Sequence, residues 1–135
     1  MEPLIYLDTH AAAWLYAGLL DSFGPKARAL LESEDLLVSP MVELELQYLY
    51  EIGKIAEDGR TVVDGLSAKL GLRVCGQPFA QVVSRALDQV WTRDPFDRLI
   101  VAQASLTDAV LLTKDRTIRQ HYPRAFWAAG SSRVA

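Results

Sequence analysis

The chain has 135 residues, half of them apolar, a single cysteine and a formal net charge of −3. That length fits one domain and suffices to bury a core without disulfides or a structural metal. The lone Cys75 excludes an internal disulfide, and the acidic balance excludes a surface that is basic throughout, as is usual for nucleic-acid binders.

No basic region followed by an apolar run opens the sequence, and Asp8 interrupts the first apolar stretch. The longest such stretch, Ala11 to Leu20, is far short of the ~18–20 residues that span a bilayer. A cytoplasmic protein is expected. Pro3 to Leu7 is an apolar run that predicts a strand buried on both faces. Helices are expected over Ala11 to Leu20 and over Phe23 to Glu32. Leu36 to Ser39 predicts a second strand, and Pro40 opens a helix to about Ile52, ended by Gly53. A weaker helical pattern covers Thr61 to Leu70, and Leu72 to Cys75 is a third strand, with Cys75 as a small core residue. Phe79 to Val90 is helical, with Val82, Val83, Ala86 and Val90 in phase, and Trp91 to Arg93 is a loop. A helix starts at Asp94-Pro95 and ends near Thr107. Ala109 to Thr113 is a fourth strand, Asp115 to His121 a short helix, and Ala125 to Trp127 an edge strand. Residues 1–129 are expected to form one domain and 130–135 a flexible tail.

Strands alternating with helices predict an α/β fold around a central, mostly parallel sheet of four or five strands. In such folds ligands sit beyond the carboxyl ends of the strands. Asp8 follows the first strand and Asp115 the fourth, while Glu45 and Asp97 lie early in helices of the same array. Four acids are therefore expected at one rim.

Each acid has a plain structural role to weigh. Glu45 is the most informative. At 100° per residue it points into an apolar face made by Met41, Val42, Leu46, Tyr48, Leu49 and Ile52, while Glu43, Gln47 and Glu51 take the polar side. A carboxylate on an apolar face is costly unless paired or metal-bound, so a functional role outweighs a solvated or structural one. Asp97 shares a face with Ile100, Val101 and Ala104. Capping explains Asp94 and Pro95 well, but explains the inward direction of Asp97 less well. Asp8 and Asp115 taken singly are best read as helix caps. The argument rests on all four reaching one end of the sheet.

Carboxylates sharing a cleft repel one another unless a cation sits among them. Magnesium and manganese prefer oxygen ligands, whereas zinc does not suit a chain with one cysteine and two histidines far apart, His10 and His121. A carboxylate-bound magnesium supports phosphodiester hydrolysis. Phosphate-cradling glycine loops and a Gly-x-Ser-x-Gly elbow are absent. An aspartyl-phosphate enzyme would suit Asp8 as nucleophile, but commonly carries an acid at the position of His10.

At these residues the sequence resembles the PIN-domain ribonucleases, in particular the VapC-type toxins of bacterial toxin–antitoxin pairs. Leu7-Asp8-Thr9-His10-Ala11 is similar to the opening motif, Val38-Ser39-Pro40 leading to Leu44-Glu45-Leu46 to the second, and Leu111 to Asp115 to the fourth. Arg93 to Ala104 is the most specific match. The motifs come in the family's order and span nearly the whole chain. The resemblance implies a PIN-like α/β/α sandwich. It implies that Asp8, Glu45, Asp97 and Asp115 hold one or two Mg²⁺ or Mn²⁺ ions and carry the catalysis, with Asp8 and Asp97 the firmest ligands. Thr9 and Thr113, with Asp94, would hold those ligands in place. It implies endonucleolytic RNA cleavage, homodimerisation and inhibition by a cognate antitoxin. The second motif departs in having Glu43 two residues before its acid; spacing from Ser39 and the helical face both choose Glu45.

Arg93, Arg98, Lys114, Arg116 and Arg119 flank the third and fourth motifs and are the candidates for RNA phosphates, though a solvated charge explains each equally well. Trp14, Trp91 and Trp127 suit core packing better than base stacking, and His10 suits either substrate or core. Two rivals share the same acids: a non-catalytic PIN-like module that binds RNA or protein, and a metal-dependent DNA nuclease or phosphatase.

Overall fold

A computed structural model describes residues 4–127, with the side chain of Ser33 left out. The tail expected at 130–135 lies outside the described residues. Five strands form one sheet: β1 (Leu4–Leu7), β2 (Asp35–Val38), β3 (Arg73–Val74), β4 (Val110–Leu112) and β5 (Ala125–Phe126). The order is β3-β2-β1-β4-β5, and every neighbouring pair is parallel. The fold is thus α/β, with five strands and no antiparallel member among the described residues.

The central strand is β1. Ile5 faces Leu36 on one side and Val110 on the other, and Ile5, Tyr6 and Leu7 are buried. An uninterrupted apolar run is what a strand covered on both faces requires. The two edge strands are only two residues long, and both residues of β3 are exposed. From β1 the chain moves to β2 and β3 on one side, then crosses back to β4 and β5 on the other. The topological switch therefore lies between β1 and β4, and in open α/β sheets the crevice at that point takes the ligand.

Among the described residues seven α-helices flank the sheet: α1 (Thr9–Tyr16), α2 (Pro25–Ser33), α3 (Pro40–Glu51), α4 (Gly59–Leu70), α5 (Phe79–Ala86), α6 (Pro95–Ser105) and α7 (Arg116–His121). α1, α3 and α4 pack on one another, and α6 packs against α3, α5 and β4. A main core joins the strands to α1, α3, α4 and α6. A small second cluster of Val82, Ala86 and Ala102 seals α5 to α6. Cys75 is buried, and its sulfur accepts a hydrogen bond from the Tyr6 hydroxyl at 3.0 Å.

Several helix boundaries differ from the expectation. α1 stops at Tyr16 rather than Leu20, because Gly18 takes φ +77° and the amides of Gly18 and Leu19 fold back onto the carbonyls of Leu15 and Trp14. This is the Schellman stop that glycine permits. Phe23 is core, not helix; α2 begins at Pro25. α5 ends at Ala86 rather than Val90, where the Arg98 guanidinium takes the carbonyls of Ala86 and Leu87, leaving Leu87 and Val90 exposed.

Candidate active site beside the central strand

Asp8 leaves β1 and caps α1. Its Oδ1 accepts the Thr9 amide at 2.8 Å, and its Oδ2 accepts the Thr113 hydroxyl at 2.5 Å across the β1–β4 boundary. The Thr9 hydroxyl in turn donates to Glu45 Oε1 at 2.5 Å. Two buried threonines thus fasten the two acids to the ends of adjacent strands. Asp115 caps α7 by accepting the Ile118 amide, while its own amide donates to the Thr113 hydroxyl. Asp94 caps α6 through the amides of Phe96 and Asp97. The capping roles weighed for Asp8, Asp94 and Asp115 are therefore real, and they are also what places these acids.

All four predicted acids line one pocket of about 430 Å³, together with Asp94, His10, Trp14 and Lys114. Five carboxyl groups face two basic side chains. The described ion pairs, Arg28–Asp21 and Arg73–Asp35, lie elsewhere. Burial is the main force pushing the Asp97 carboxyl up to about 7, with the charges of Asp94, Asp8, Asp115 and Glu45 adding to it. Burial also raises Asp8 and Glu45 above the ordinary carboxylate range, against the lowering effect of their threonine hydrogen bonds. Asp97 differs from its neighbours: among the described residues no hydrogen bond or ion pair satisfies its side chain.

Glu45 reaches this pocket for a narrower reason than its helical face suggested. Val42 and Leu46 are buried, but Tyr48 and Ile52 are about half exposed, at 49% and 48%. The apolar face of α3 is a stripe, and Glu45 stands at its edge, next to Thr9.

An oxygen-only donor set of mutually repelling acids suits magnesium or manganese. Among the described residues, no group of three acids, histidines or cysteines is arranged to hold an ion by itself. The arrangement fits a magnesium ion that takes one or two carboxylates and completes its shell with water, as magnesium commonly does. It does not fit a closed all-protein cage.

The predicted phosphate-binding residues separate. Lys114 lines the pocket, its Nζ 5.3 Å from the centre of the Trp14 ring. Arg98 is engaged with the end of α5, Arg93 with the carbonyls of Val90 and Thr92, and Arg119 with that of Lys114. Arg116 opens α7 as an exposed residue. Trp14 suits core packing better than base stacking by its spacing. It does pack on Trp127, which packs on Phe23, but it also walls the pocket. The signal was its spacing: His10 and Trp14 are one turn apart and share the face that follows Asp8.

A PIN-domain family model matches residues 5–122. The chain belongs to the PIN-domain family. No curated protein sequence matches it. Among solved structures, VapBC2 of Rickettsia felis, bound to a DNA fragment from its promoter, is similar. Its TM-score is 0.62 at 18% identity over 90% of this chain and 95% of that one. A toxin–antitoxin complex from Klebsiella pneumoniae aligns with a TM-score of 0.58 at 17% identity, over 90% and 95%. A domain of a functionally unknown protein from Methanocaldococcus jannaschii gives 0.53 at 17% identity, over 98% and 96%. At these identities the likeness is one of fold. This PIN domain thus carries its acids at the switch point of the shared sheet. Among the described residues no helix is long and apolar enough to cross a membrane.

Proposed function

We infer that this PIN domain is a magnesium- or manganese-dependent endoribonuclease and the toxin of a toxin–antitoxin pair. The observation that carries the reading is the unpartnered Asp97, its carboxyl pushed up to about 7 in a pocket shared with four other acids. A protein keeps such an arrangement at a cost in stability, and a divalent cation is what relieves it.

Asp8 and Asp97 would be the direct ligands of the ion, and Glu45 and Asp115 would hold it through its waters. When bound, it would neutralise charge on a phosphodiester and lower the pKa of a water. Thr113 fixes Asp8 and Thr9 fixes Glu45, so both carboxylates are oriented before the ion arrives. Lys114, at the pocket wall, places a positive charge where a phosphate would enter. Family membership supports nuclease chemistry. The toxin–antitoxin likeness supports an antitoxin as protein partner, and the resemblance supports assembly as a homodimer.

The test is cleavage of a mixed pool of structured RNAs by pure protein with Mg²⁺, with EDTA, and with Asp97→Asn. Discrete cuts that need both the metal and Asp97 are expected. No cuts under any condition, with no magnesium binding by calorimetry, would replace the reading with a non-catalytic module.

A further inference from the structure

Lys114 stands between β4 and α7, and its backbone is fixed on both sides. Its carbonyl accepts a hydrogen bond from the Arg119 guanidinium at 3.2 Å, and the next amide, that of Asp115, donates to the buried Thr113 hydroxyl. Its side chain is the part left free to choose a partner. In a pocket with five carboxyl groups, a carboxylate is the obvious counter-ion for an ammonium. Among the described residues, however, no ion pair joins Lys114 to any of them. The ammonium lies instead over the Trp14 ring, 5.3 Å from its centre. That is within the ~6 Å at which an aromatic face holds a cation, and an indole is the best such face. Trp14 is itself held from behind. Trp127 meets it nearly edge-on, with ring centres 5.6 Å apart, and the buried Trp127 rests 4.8 Å from Phe23 in the core. Three rings therefore run from the core to the pocket wall and end on the lysine.

We propose that Trp14 is a positioning residue that holds the Lys114 ammonium on the wall of the acidic pocket and off the carboxylates. Their oxygens then stay open to a divalent cation, and the ammonium stays open to a phosphate. The inference rests on the metal-dependent reading of that pocket. An ammonium released from the ring would move onto the acids, because mutually repelling carboxylates attract any cation within reach. Each oxygen it took would be lost to the divalent ion or to that ion's waters, so the two cations would compete. The lysine would also withdraw its charge from the pocket entrance. Both losses would follow from one displaced side chain. Plain packing would act differently: a defect at Trp14 would lower stability, and its effect on cation affinity would not depend on Lys114.

The test is a double-mutant cycle on the full chain, with magnesium affinity measured by calorimetry at low salt. Trp14→Leu keeps apolar bulk against Trp127 and removes the ring face. It should weaken magnesium binding roughly tenfold, and Trp14→Phe should recover most of the loss. In a Lys114→Gln chain the same Trp14→Leu change should alter magnesium affinity by less than about twofold. Proton NMR of the metal-free protein reads the position of the lysine without any metal. The Lys114 Cε protons should be shifted upfield by the ring in the native and Trp14→Phe chains, and should return to their ordinary position in Trp14→Leu.

The same loss of magnesium affinity with and without Lys114 would overturn the proposal, since Trp14 would then support the acids by packing alone. So would a Trp14→Leu chain that binds magnesium as the native one does. Unshifted Lys114 protons in the native chain would overturn it even if no Trp14→Leu protein folds. A native chain that binds no magnesium but shows the ring-dependent shift would overturn the metal-dependent reading instead, and keep Trp14 as the residue that places Lys114.

Discussion

Asp97 and Thr113 act on the site in opposite senses. Asp97 is a charge with no partner, so removing it relieves repulsion. Asp97→Asn is expected to reduce cleavage by at least about 100-fold, yet to raise the melting temperature of the metal-free protein at pH 8. A lowered melting temperature there would mean that Asp97 is held by a favourable contact. Thr113 is fully buried, donates to Asp8 and accepts from the Asp115 amide. Thr113→Val strands both and should cost about 1–3 kcal/mol in denaturant unfolding. It should also weaken magnesium binding roughly 10- to 100-fold, because Asp8 loses its orientation. A Thr113→Ser protein should recover most of both. All four acids were legible in the sequence, because each sits at a strand end or on an inward helical face. Asp94 was legible as a cap and as a support for the ligands, but not as a fifth acid lining the pocket. Nothing in one sequence tells how far a capping carboxylate also leans into a neighbouring cleft.

The elements were legible where a local chemical signal marked them. Pro40 and Gly53 bound α3, and the amides of Gly53 and Lys54 return to Tyr50 and Leu49 in the same glycine stop that ends α1. Boundaries were missed where a distant residue sets them. α5 ends where Arg98, on the next helix, donates to the carbonyls of Ala86 and Leu87 and the chain tightens into a turn, and the apolar phase of Val90 gave no warning of that. The same guanidinium is a sequence candidate for phosphates or for a solvated charge, since its contact with α5 depends on packing rather than spacing. Two glycines separate conformational need from steric need. Gly53, at φ +80°, has open space where a Cβ would go, so Gly53→Ala should cost about 1–2 kcal/mol in strain alone. Gly59 starts α4 against α3, and a Cβ there would overlap the Glu43 carbonyl oxygen, with the Gln47 amide nitrogen at 3.0 Å. Neither atom is at the end of a flexible side chain, so α4 would have to move. Gly59→Ala should therefore destabilise more than Gly53→Ala in urea unfolding. The reverse order would show that the α3–α4 contact is slack.

For the molecule as a whole, the acids should make stability depend on pH and, on the proposed reading, on magnesium, with opposite signs. In the metal-free fold Asp97 titrates at about 7, against an ordinary 3.8. Between those values the folded state binds more protons than the unfolded one, so stability falls as pH rises. The stabilisation from the protonated form is complete below about pH 4 and lost as pH rises through about 7. Asp8 and Glu45, both raised, act in the same direction. A divalent ion reverses the preference, since it binds the ionised carboxylates and displaces their protons. Calorimetric melts in EDTA should thus show a falling melting temperature from pH 5 to pH 8. Saturating magnesium should flatten or invert that slope, adding about 2.7 kcal/mol at a hundred times its Kd. Magnesium affinity should weaken as pH drops below 7, with protons released on binding that are visible as a buffer-dependent heat. Asp97→Asn should abolish most of that heat. A melting temperature that does not change with pH in EDTA would mean that the five carboxylates are already solvated. The pocket would then have no electrostatic reason to recruit a cation.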